Sequence, residues 1–467
     1  MNPIESALLS ALNKHPEMPL VIAYSGGVDS QVLLHALASL KEQNQLSSNP
    51  ITVCHVNHGL SDNASAWQSF AEQSCLALQL PLKVCQVNVQ AQAQQSLEAL
   101  ARDARYQALQ SIYQQRSLII TGHHSDDQAE TFLLALKRGS GLKGLSAMAI
   151  ETKQTKDLLV RPLLSITRGE IVNYAQQHNL AWVEDESNTD TRFDRNFIRN
   201  DIMPLLTQRW PSIVHTINRS SEHCSEGQLL LNELAEDDLA LCQIDTNILC
   251  TKSLKQLSQR RFNNVIRYFL SKNNCLMPST EQLIQVHRQL NAENDKNPTV
   301  KVGEHFFRRY RASLYLTPNF EDVSGWQEKI ILSSHGNQIK KVELPDNLGQ
   351  LYFDTSASYQ ENKKQQAIIM PSKGQAITIR FEHYNPNCLP DYRQHSRSLK
   401  KVLQELNIPP WQRKRIPFLY YDDTLVAAIG YFVCQAYVVK ASLSDIALPI
   451  ECEPNTNLTS YVIISTG

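Results

Sequence analysis

Apolar positions in the first part of the chain arrive in short blocks separated by amphipathic stretches. Leu20-Val21-Ile22-Ala23-Tyr24 is brief, carries β-branched residues and lies between Pro19 and a glycine pair, so it predicts a buried strand. Ile51–Asn57, Leu82–Val87 and Ser117–Thr121 repeat that signal. Between them, Val32, Leu33, Ala36 and Leu37 can share one helical face, and residues 65–79 place Trp67, Phe70, Ala71, Cys75 and Leu78 at helical spacing. A long helix over 92–115 turns Leu97, Leu100, Ala101, Ala104 and Leu109 inward, and 126–137 forms another. Strands alternating with helices predict βαβ units, hence an α/β domain with a doubly wound parallel sheet. Ligands of such sheets sit at the carboxyl ends of the strands.

Further along, Leu158–Leu164 predicts a strand. Thr167 to Asn179 predicts a helix with Thr167 as N-cap and Glu170 completing a capping box. From Asp194 to about residue 242 the pattern stays helical. Residues 251–290 read as two amphipathic helices, through Leu254, Leu257, Phe262, Ile266 and Phe269 and then Leu283, Val286 and Leu290. Residues 299–317 alternate aromatic and basic side chains as strands do, 318–375 is polar and irregular, and Ile377–Phe381 opens a small α+β domain. The expected layout is an α/β domain over 1–215, a mainly helical middle domain over 216–320, a linker over 321–375 and a small α+β C-terminal domain over 376–467.

Composition narrows the class. The 467 residues suit about three domains. Hydrophobic content of 42% and charged content of 19% are those of an ordinary globular chain. No apolar run reaches transmembrane length, and residues 1–19 carry charges and no signal-peptide core, so neither a membrane nor a secretory reading is expected. Ten scattered cysteines without a C-x-x-C pair fit reduced thiols in a cytoplasmic protein. A net charge of −1 does not announce a nucleic-acid binder. Between Arg393 and Arg415, however, Arg393, Arg397, Lys400, Lys401, Arg413, Lys414 and Arg415 face only Glu405, a patch that suits a polyanion or a solvated surface equally.

Candidate chemistry lies at the predicted strand ends. Ser25-Gly26-Gly27-Val28-Asp29-Ser30 joins a strand to a helix. A glycine pair there lets free backbone N–H groups and the helix dipole meet a phosphate, with Ser25 and Ser30 as further donors. The stretch has neither the lysine of a Walker A loop nor the G-x-G-x-x-G dinucleotide pattern. After the fourth strand, Gly122-His123-His124-Ser125-Asp126-Asp127-Gln128-Ala129-Glu130 brings three acids onto a helix start; capping accounts for one or two of them, not for all three beside two histidines. Such carboxylates suit magnesium on ATP phosphates, or a substrate ammonium. His55-Val56-Asn57-His58-Gly59 follows the second strand. Arg102 and Arg105 sit on the long helix, where they are most simply solvated or else touch an RNA backbone. Residues 182–200 are too polar for a plain turn, and Arg195 and Arg199, one helical turn apart, can clamp a phosphate or carboxylate.

The loop Ser25–Ser30 resembles that of the N-type ATP pyrophosphatases. With His55–Gly59, Gly122–Thr131, Arg161-Pro162-Leu163-Leu164, Glu184 to Arg199, and the terminal stretch Ile408–Trp411 through Arg415–Asp422, the chain resembles the tRNA(Ile)-lysidine synthetase family. That resemblance implies a reaction. ATP adenylates the C2 carbonyl oxygen of the wobble cytidine of a tRNA(Ile) with anticodon CAU, free L-lysine attacks through its ε-amine, and AMP leaves. It further implies that Ser25, Gly26, Gly27, Val28, Asp29, Ser30, His55, Asn57, Gly122 and His123 bind ATP, and that Asp29 and Asp126 hold Mg2+. Asp29, Asp126, Asp127, Glu130 and Arg161 would be catalytic, with Asp127 and Glu130 binding the lysine amine and acting as general base. Asp185, Asn188, Arg195 and Arg199 would steady lysine or cytidine, and Arg102, Arg105, Arg413, Lys414 and Arg415 would hold tRNA. A homodimer is common among similar proteins. The rival within the superfamily is a tRNA thiolase, which needs paired cysteines that the chain lacks. A small-molecule ligase would not need the basic terminal module, and a catalytically dead RNA-binding scaffold would not keep the loop acids.

Overall fold

The computed structural model describes residues 2–46, 50–59, 61, 63–87, 97–291, 298–331, 339–354, 365–372, 374–439 and 461–466. The chain forms two compact units, Met1–Glu236 and Asp237–Gly467.

The first unit runs α1 (Pro3–Leu12), β1 (Leu20–Tyr24), α2 (Val28–Glu42), β2 (Ile51–Asn57), α3 (Ala64–Ala77), β3 (Leu82–Gln86), α4 (Leu97–Gln110), β4 (Leu118–Ile120), α5 (Ser125–Lys137), α6 (Leu142–Leu145), β5 (Glu151–Gln154), β6 (Asp157–Val160) and α7 (Arg168–Gln177). Its sheet has the order β3-β2-β1-β4-β6-β5, parallel except for β5, which pairs antiparallel with β6. β1 is buried on both faces, which is why it reads as a continuous apolar run. Leu20 and Ile22 join Leu8, Leu37 and Ile171 in one core, while Val21 packs with Leu109 of α4 on the opposite face. The register Tyr24↔His55 and Ile22↔Ile120 brings the ends of β1, β2 and β4 to one edge. Thr167 caps α7, accepting from the Glu170 N–H while the Glu170 carboxylate accepts from the Thr167 N–H, the expected capping box.

The helix expected over 92–115 is α4, which ends at Gln110; 92–96 lie outside the described residues. Two further features of this unit differ from the sequence reading. β5 escaped notice because Glu-Thr-Lys-Gln offers no apolar signal and exists only as the partner of β6. The helical stretch after Asp194 is not continuous. It comprises α8 (Asp194–Phe197), a wide π-type turn over Ile198–Ile202, α9 (Met203–Arg209) and, after a break at Trp210-Pro211-Ser212, α10 (Ile213–Cys242). Pro211 lacks the N–H that a continuing helix needs.

In the second unit, helices Gln259–Lys272 and Thr280–Leu290 pack on an antiparallel sheet whose order is Gln243–Asp245, Ile248–Cys250, Ser313–Pro318, His305–Tyr310, Thr299–Val302. Phe262, Ile266, Phe269, Leu283 and Phe307 fill the core between them. The reading of 318–375 as irregular is also corrected, since it contains the strands Gln327–Ile330, Ile339–Glu343, Gln350–Asp354 and Gln365–Ile369. Ile339–Glu343 and Gln350–Asp354 pair as a hairpin, while Gln327–Ile330 finds its hydrogen bonds on the distant Ile377–Arg380 and Gln365–Ile369 on Tyr461–Thr466. The terminal domain centres on Ile377–Arg380, Phe418–Tyr421 and Thr424–Ala428. No helix among the described residues is long and apolar enough to cross a membrane.

Ile22 is fully buried in the central strand. Ile22→Ala is therefore expected to cost about 2–5 kcal/mol, read as lost hydrogen-exchange protection of the β1 amides. A loss well under about 1 kcal/mol would remove β1 from the centre of the folding unit.

Candidate active site

The glycine loop turns β1 into α2 through Gly26 at φ +89°, a conformation that L side chains rarely adopt. Ser30 closes the turn. Its Oγ accepts from the Ser25 and Gly26 N–H groups (3.3 and 3.1 Å) and donates to the Gly27 carbonyl (2.9 Å). Gly27 caps α2 without any side-chain hydrogen bond, so the first N–H groups of α2 stay available to an anion. A strap from the 182–186 segment covers the loop: the Val183 N–H donates to the Gly26 carbonyl (3.0 Å), and a Cβ on Gly26 would meet Val183 Cγ2 at 2.8 Å. Gly122 has a packing reason as well, because a Cβ there would stand 3.0 Å from the Asp29 carbonyl.

Around this loop lie two charge systems. In the first, the His124 ring, 1% exposed, sits among Asp29 (3.6 Å), Asp126 (3.7 Å) and Asp127 (3.5 Å). Burial alone would push His124 down; contact with Asp126 and the charges of Asp127 and Asp29 outweigh it and raise its pKa above 6.5. Burial lifts Asp29 above its usual range, only partly opposed by His124 and by Arg168, whose guanidinium is 3.8 Å away. Burial also acts upward on Asp126, but His124, the Arg168 N–H (2.9 Å) and Ser125 bring it down to about 2.

In the second system, Asp127 and Glu130 meet Arg195 and Arg199. Arg195 reaches Glu130 Oε2 through Nε (2.8 Å) and Asp127 Oδ1 through Nη2 (3.0 Å). Arg199 reaches Glu130 Oε1 through Nε (2.6 Å) and Asp127 Oδ1 through Nη2 (3.0 Å). The pairs i,i+3 on α5 and i,i+4 across α8 and the π-type turn thus interlock as a four-membered lattice. Despite burial, Asp127 is held below the usual carboxylate range by His124, Arg195 and His123. A carboxylate with so low a proton affinity, bound by two guanidiniums, does not suit the expected general-base role.

The remaining candidates scatter. His55 Nδ1 donates to the Tyr24 carbonyl (3.1 Å), and burial pushes its pKa down, so the ring is neutral beside the loop. The Asn57 side chain is committed to Gln68 and the Gly59 N–H. His123 bonds Thr121 Oγ1 (2.8 Å), and burial lowers it to about 3. Buried Arg161 donates to the Ala149 carbonyl (2.7 Å) and Thr152 Oγ1 (3.0 Å), pinning the β5 hairpin instead of joining the acids. Arg105 is turned inward beside Tyr106 and His58, whereas Arg102 is exposed. Asp185 caps a short turn through the Ser187 N–H (2.9 Å), and the Asn188 carbonyl accepts from Asn200 (2.8 Å), so both shape the strap. In the second unit, Arg413 bonds the Ile408 carbonyl and Tyr310, and Arg415 pairs with Asp346, leaving Lys414 exposed. Arg393 and Arg397 both pair with Glu405, so the basic patch is smaller than its sequence suggests.

Arg168 is missing from the sequence-based candidates. The signal available was a basic residue opening a capped helix directly after a strand of the same sheet. For a divalent ion, Asp29 Oδ1 is buried without a hydrogen-bond partner, while Asp126 Oδ2 is already bonded. No group of three metal-ligating side chains occurs among the described residues. The donor set fits a hard cation carried on phosphates with one protein carboxylate.

A parallel sheet with a glycine loop, an uncapped helix start and an acid at its first turn defines the class of PP-loop ATP pyrophosphatases. Residues 1–206 match the PP-loop domain family, 249–315 the TilS substrate binding domain and 377–449 the TilS substrate C-terminal domain. Curated tRNA(Ile)-lysidine synthases align along most of the chain. That of Serratia proteamaculans is 41% identical over 436 residues, 93% of this chain and 95% of its own. That of Coxiella burnetii is 39% identical over 420 residues, 90% of each. That of Escherichia coli O157:H7 is 39% identical over 427 residues, 90% and 94%. The chain belongs to the tRNA(Ile)-lysidine synthase family. Among solved structures, a U34-tRNA thiolase from Methanococcus maripaludis is similar at a TM-score of 0.39 and 17% identity, over 48% of this chain and 78% of that one.

Two predictions follow from the loop and the His124 cluster. Gly26→Ala must displace the turn or Val183, and is expected to weaken ATP binding about tenfold or more in a titration; unchanged affinity would mean the turn does not shape the nucleotide site. Because folding raises the His124 pKa, its stabilisation is complete below pH 6.5 and is lost as pH rises through the raised value. Urea midpoints followed over about pH 6 to 9 should fall for the parent chain and stay flatter for His124→Gln. Parallel profiles would show that His124 does not carry the charge.

Proposed function

We propose that the first unit uses ATP to activate the C2 oxygen of a tRNA cytidine and passes the activated base to the ε-amine of free L-lysine. Family membership makes the chain an ATP-dependent carbon–nitrogen ligase that forms lysidine on tRNA(Ile). The observation that supports the residue roles is the convergence of the uncapped α2 start, Asp29 and Arg168 with the lattice of Asp127, Glu130, Arg195 and Arg199.

In the first step the cytidine O2 attacks the α-phosphorus, the bond to the β-phosphate oxygen breaks, and pyrophosphate leaves. The α2 N–H groups receive that pyrophosphate, and Arg168 supplies the cation that a Walker lysine would provide elsewhere. Mg2+, with Asp29 as its protein ligand, would neutralise phosphate charge when bound. In the second step the lysine amine attacks C2, the C2–O bond breaks, AMP leaves with the bonding electron pair, and the proton lost by the attacking nitrogen passes to solvent water. Asp127 and Glu130 hold Arg195 and Arg199 in place, and the outer faces of those guanidiniums bind anionic groups of the substrates. His55 and His123, neutral at physiological pH, border the base without adding charge. The domains at 216–320 and 376–467 carry the tRNA, Lys414 lying on their exposed surface. A cytoplasmic location and a homodimer complete this reading.

ATP-dependent transfer of radiolabelled lysine to a CAU-anticodon tRNA(Ile) transcript, stable to mild base, is the expected result. AMP release that requires a sulfur donor instead would favour the thiolase. Arg168→Ala should raise the KM for ATP by about tenfold or more, since a charged contact contributes about 1.5–3 kcal/mol. An unchanged KM would remove Arg168 from the phosphate site. Asp127→Asn, which removes the charge of one of the two carboxylates that hold both arginines, should reduce kcat/KM by about a hundredfold; full activity would exclude Asp127 from the mechanism.

A further inference from the structure

Asp126 lies in the first turn of α5, where an acid near a phosphate loop suits a metal ligand or a catalytic group. Its hydrogen bonds lead elsewhere. Asp126 Oδ2 accepts from the backbone N–H of Arg168 (2.9 Å), 42 residues further along the chain, and from Ser125 Oγ (3.1 Å), with the His124 ring at 3.7 Å. One position earlier, the Ser125 N–H donates to the Ile166 carbonyl (2.9 Å). The start of α5 is thus bonded to the turn that enters α7 on both sides of Thr167.

Arg168 is the first residue of α7, and its N–H is one of the donors that a helix start leaves without an internal partner. Thr167 Oγ1 takes the Glu170 N–H (3.2 Å) and Asp126 takes that of Arg168, so the cap of α7 is completed from another helix. α2 is the opposite case, since its start carries no side-chain cap. An anion therefore finds open backbone donors at α2, and what α7 offers it is the Arg168 guanidinium. That side chain is 47% exposed, with Nη1 3.8 Å from Asp29 Oδ2. A long, half-exposed arginine loses its aim when its backbone shifts, and the bond to Asp126 anchors the backbone from which it extends.

We propose that Asp126 is a positioning residue that caps α7, fixes the backbone of Arg168 and so aims its guanidinium at the phosphates of ATP, and that it is not a ligand of the metal. The inference rests on the reading of Arg168 as a phosphate contact and replaces the metal-holding role expected of Asp126.

The test compares Asp126→Ala, Asp126→Asn, Arg168→Ala and the double variant Asp126→Ala/Arg168→Ala in the full chain. Asparagine keeps an oxygen that can accept the Arg168 N–H but carries no charge for a cation. Asp126→Ala is expected to raise the KM for ATP about tenfold with kcat within about threefold of the parent, and Asp126→Asn to recover most of that loss. The Mg2+ concentration for half-maximal activity should stay within about twofold in Asp126→Asn; a rise of about tenfold or more would mark a metal ligand and overturn the proposal. In the Arg168→Ala background, Asp126→Ala should add less than about twofold to KM, whereas a further loss of about tenfold would show that Asp126 acts apart from Arg168 and would also overturn it. Hydrogen exchange at the Arg168 amide reads the cap without ATP, magnesium or turnover. Exchange should be faster by about tenfold in Asp126→Ala and near that of the parent in Asp126→Asn, and unchanged exchange in Asp126→Ala would remove the cap. An unchanged KM in Arg168→Ala would sink the phosphate reading and the proposal with it, an outcome that the amide exchange distinguishes from a missing cap.

Discussion

Two carboxylates buried in the first turns of one helix cannot remain charged without cations beside them. Glu130 is 3% exposed and Asp127 10%, and the cost of leaving such groups unpaired is several kcal/mol each. Arg195 and Arg199 meet this demand from about seventy residues further along the chain. To deliver them, the segment after the sheet must fold back over α5, and the π-type turn at Ile198–Ile202 adjusts the spacing so that both guanidiniums face the same acids. The strap over the glycine loop is part of that same segment, so the pairing also fixes the cover of that loop.

The lattice has a chemical consequence. Both acids are engaged by two guanidiniums each, and the arginines held by them on one side present a rigid, partly neutralised face on the other. Positioning, not proton abstraction, is what this arrangement does well. His124 does the corresponding work among Asp29, Asp126 and Asp127, whose charges raise its proton affinity. Both systems lie at the carboxyl edge of a parallel sheet because the register brings the ends of β1, β2 and β4 together there.

Much of this was legible in the residues. The strands from Leu20 and Ile51 have the predicted bounds, the Thr167 capping box forms as read, and the motifs at Ser25, His55 and Gly122 do lie at adjacent strand ends. Signals of this kind are local: they depend on apolar runs, on spacing and on a few glycines. The failures share another cause. β5 and the strands within 318–375 carry weak patterns and exist through their pairing, β5 with the adjacent β6 and Gln327–Ile330 with Ile377–Arg380 about fifty residues on. Arg161 and Arg105 looked like surface or substrate groups, yet packing turned them inward, and Arg413 and Arg415 became structural through Tyr310 and Asp346.

By itself the amino-acid sequence determined the α/β unit, the glycine turn after β1 and the family, because backbone conformation at a glycine and helix or strand periodicity are properties of neighbouring residues. Tertiary structure alone decided which charges meet. Whether Asp127 is a base or a ligand for arginine, whether His124 holds its proton, and whether a basic residue faces solvent or a cavity depend on distances of a few ångströms between residues far apart in the chain. Coulomb energy and desolvation change steeply over that range.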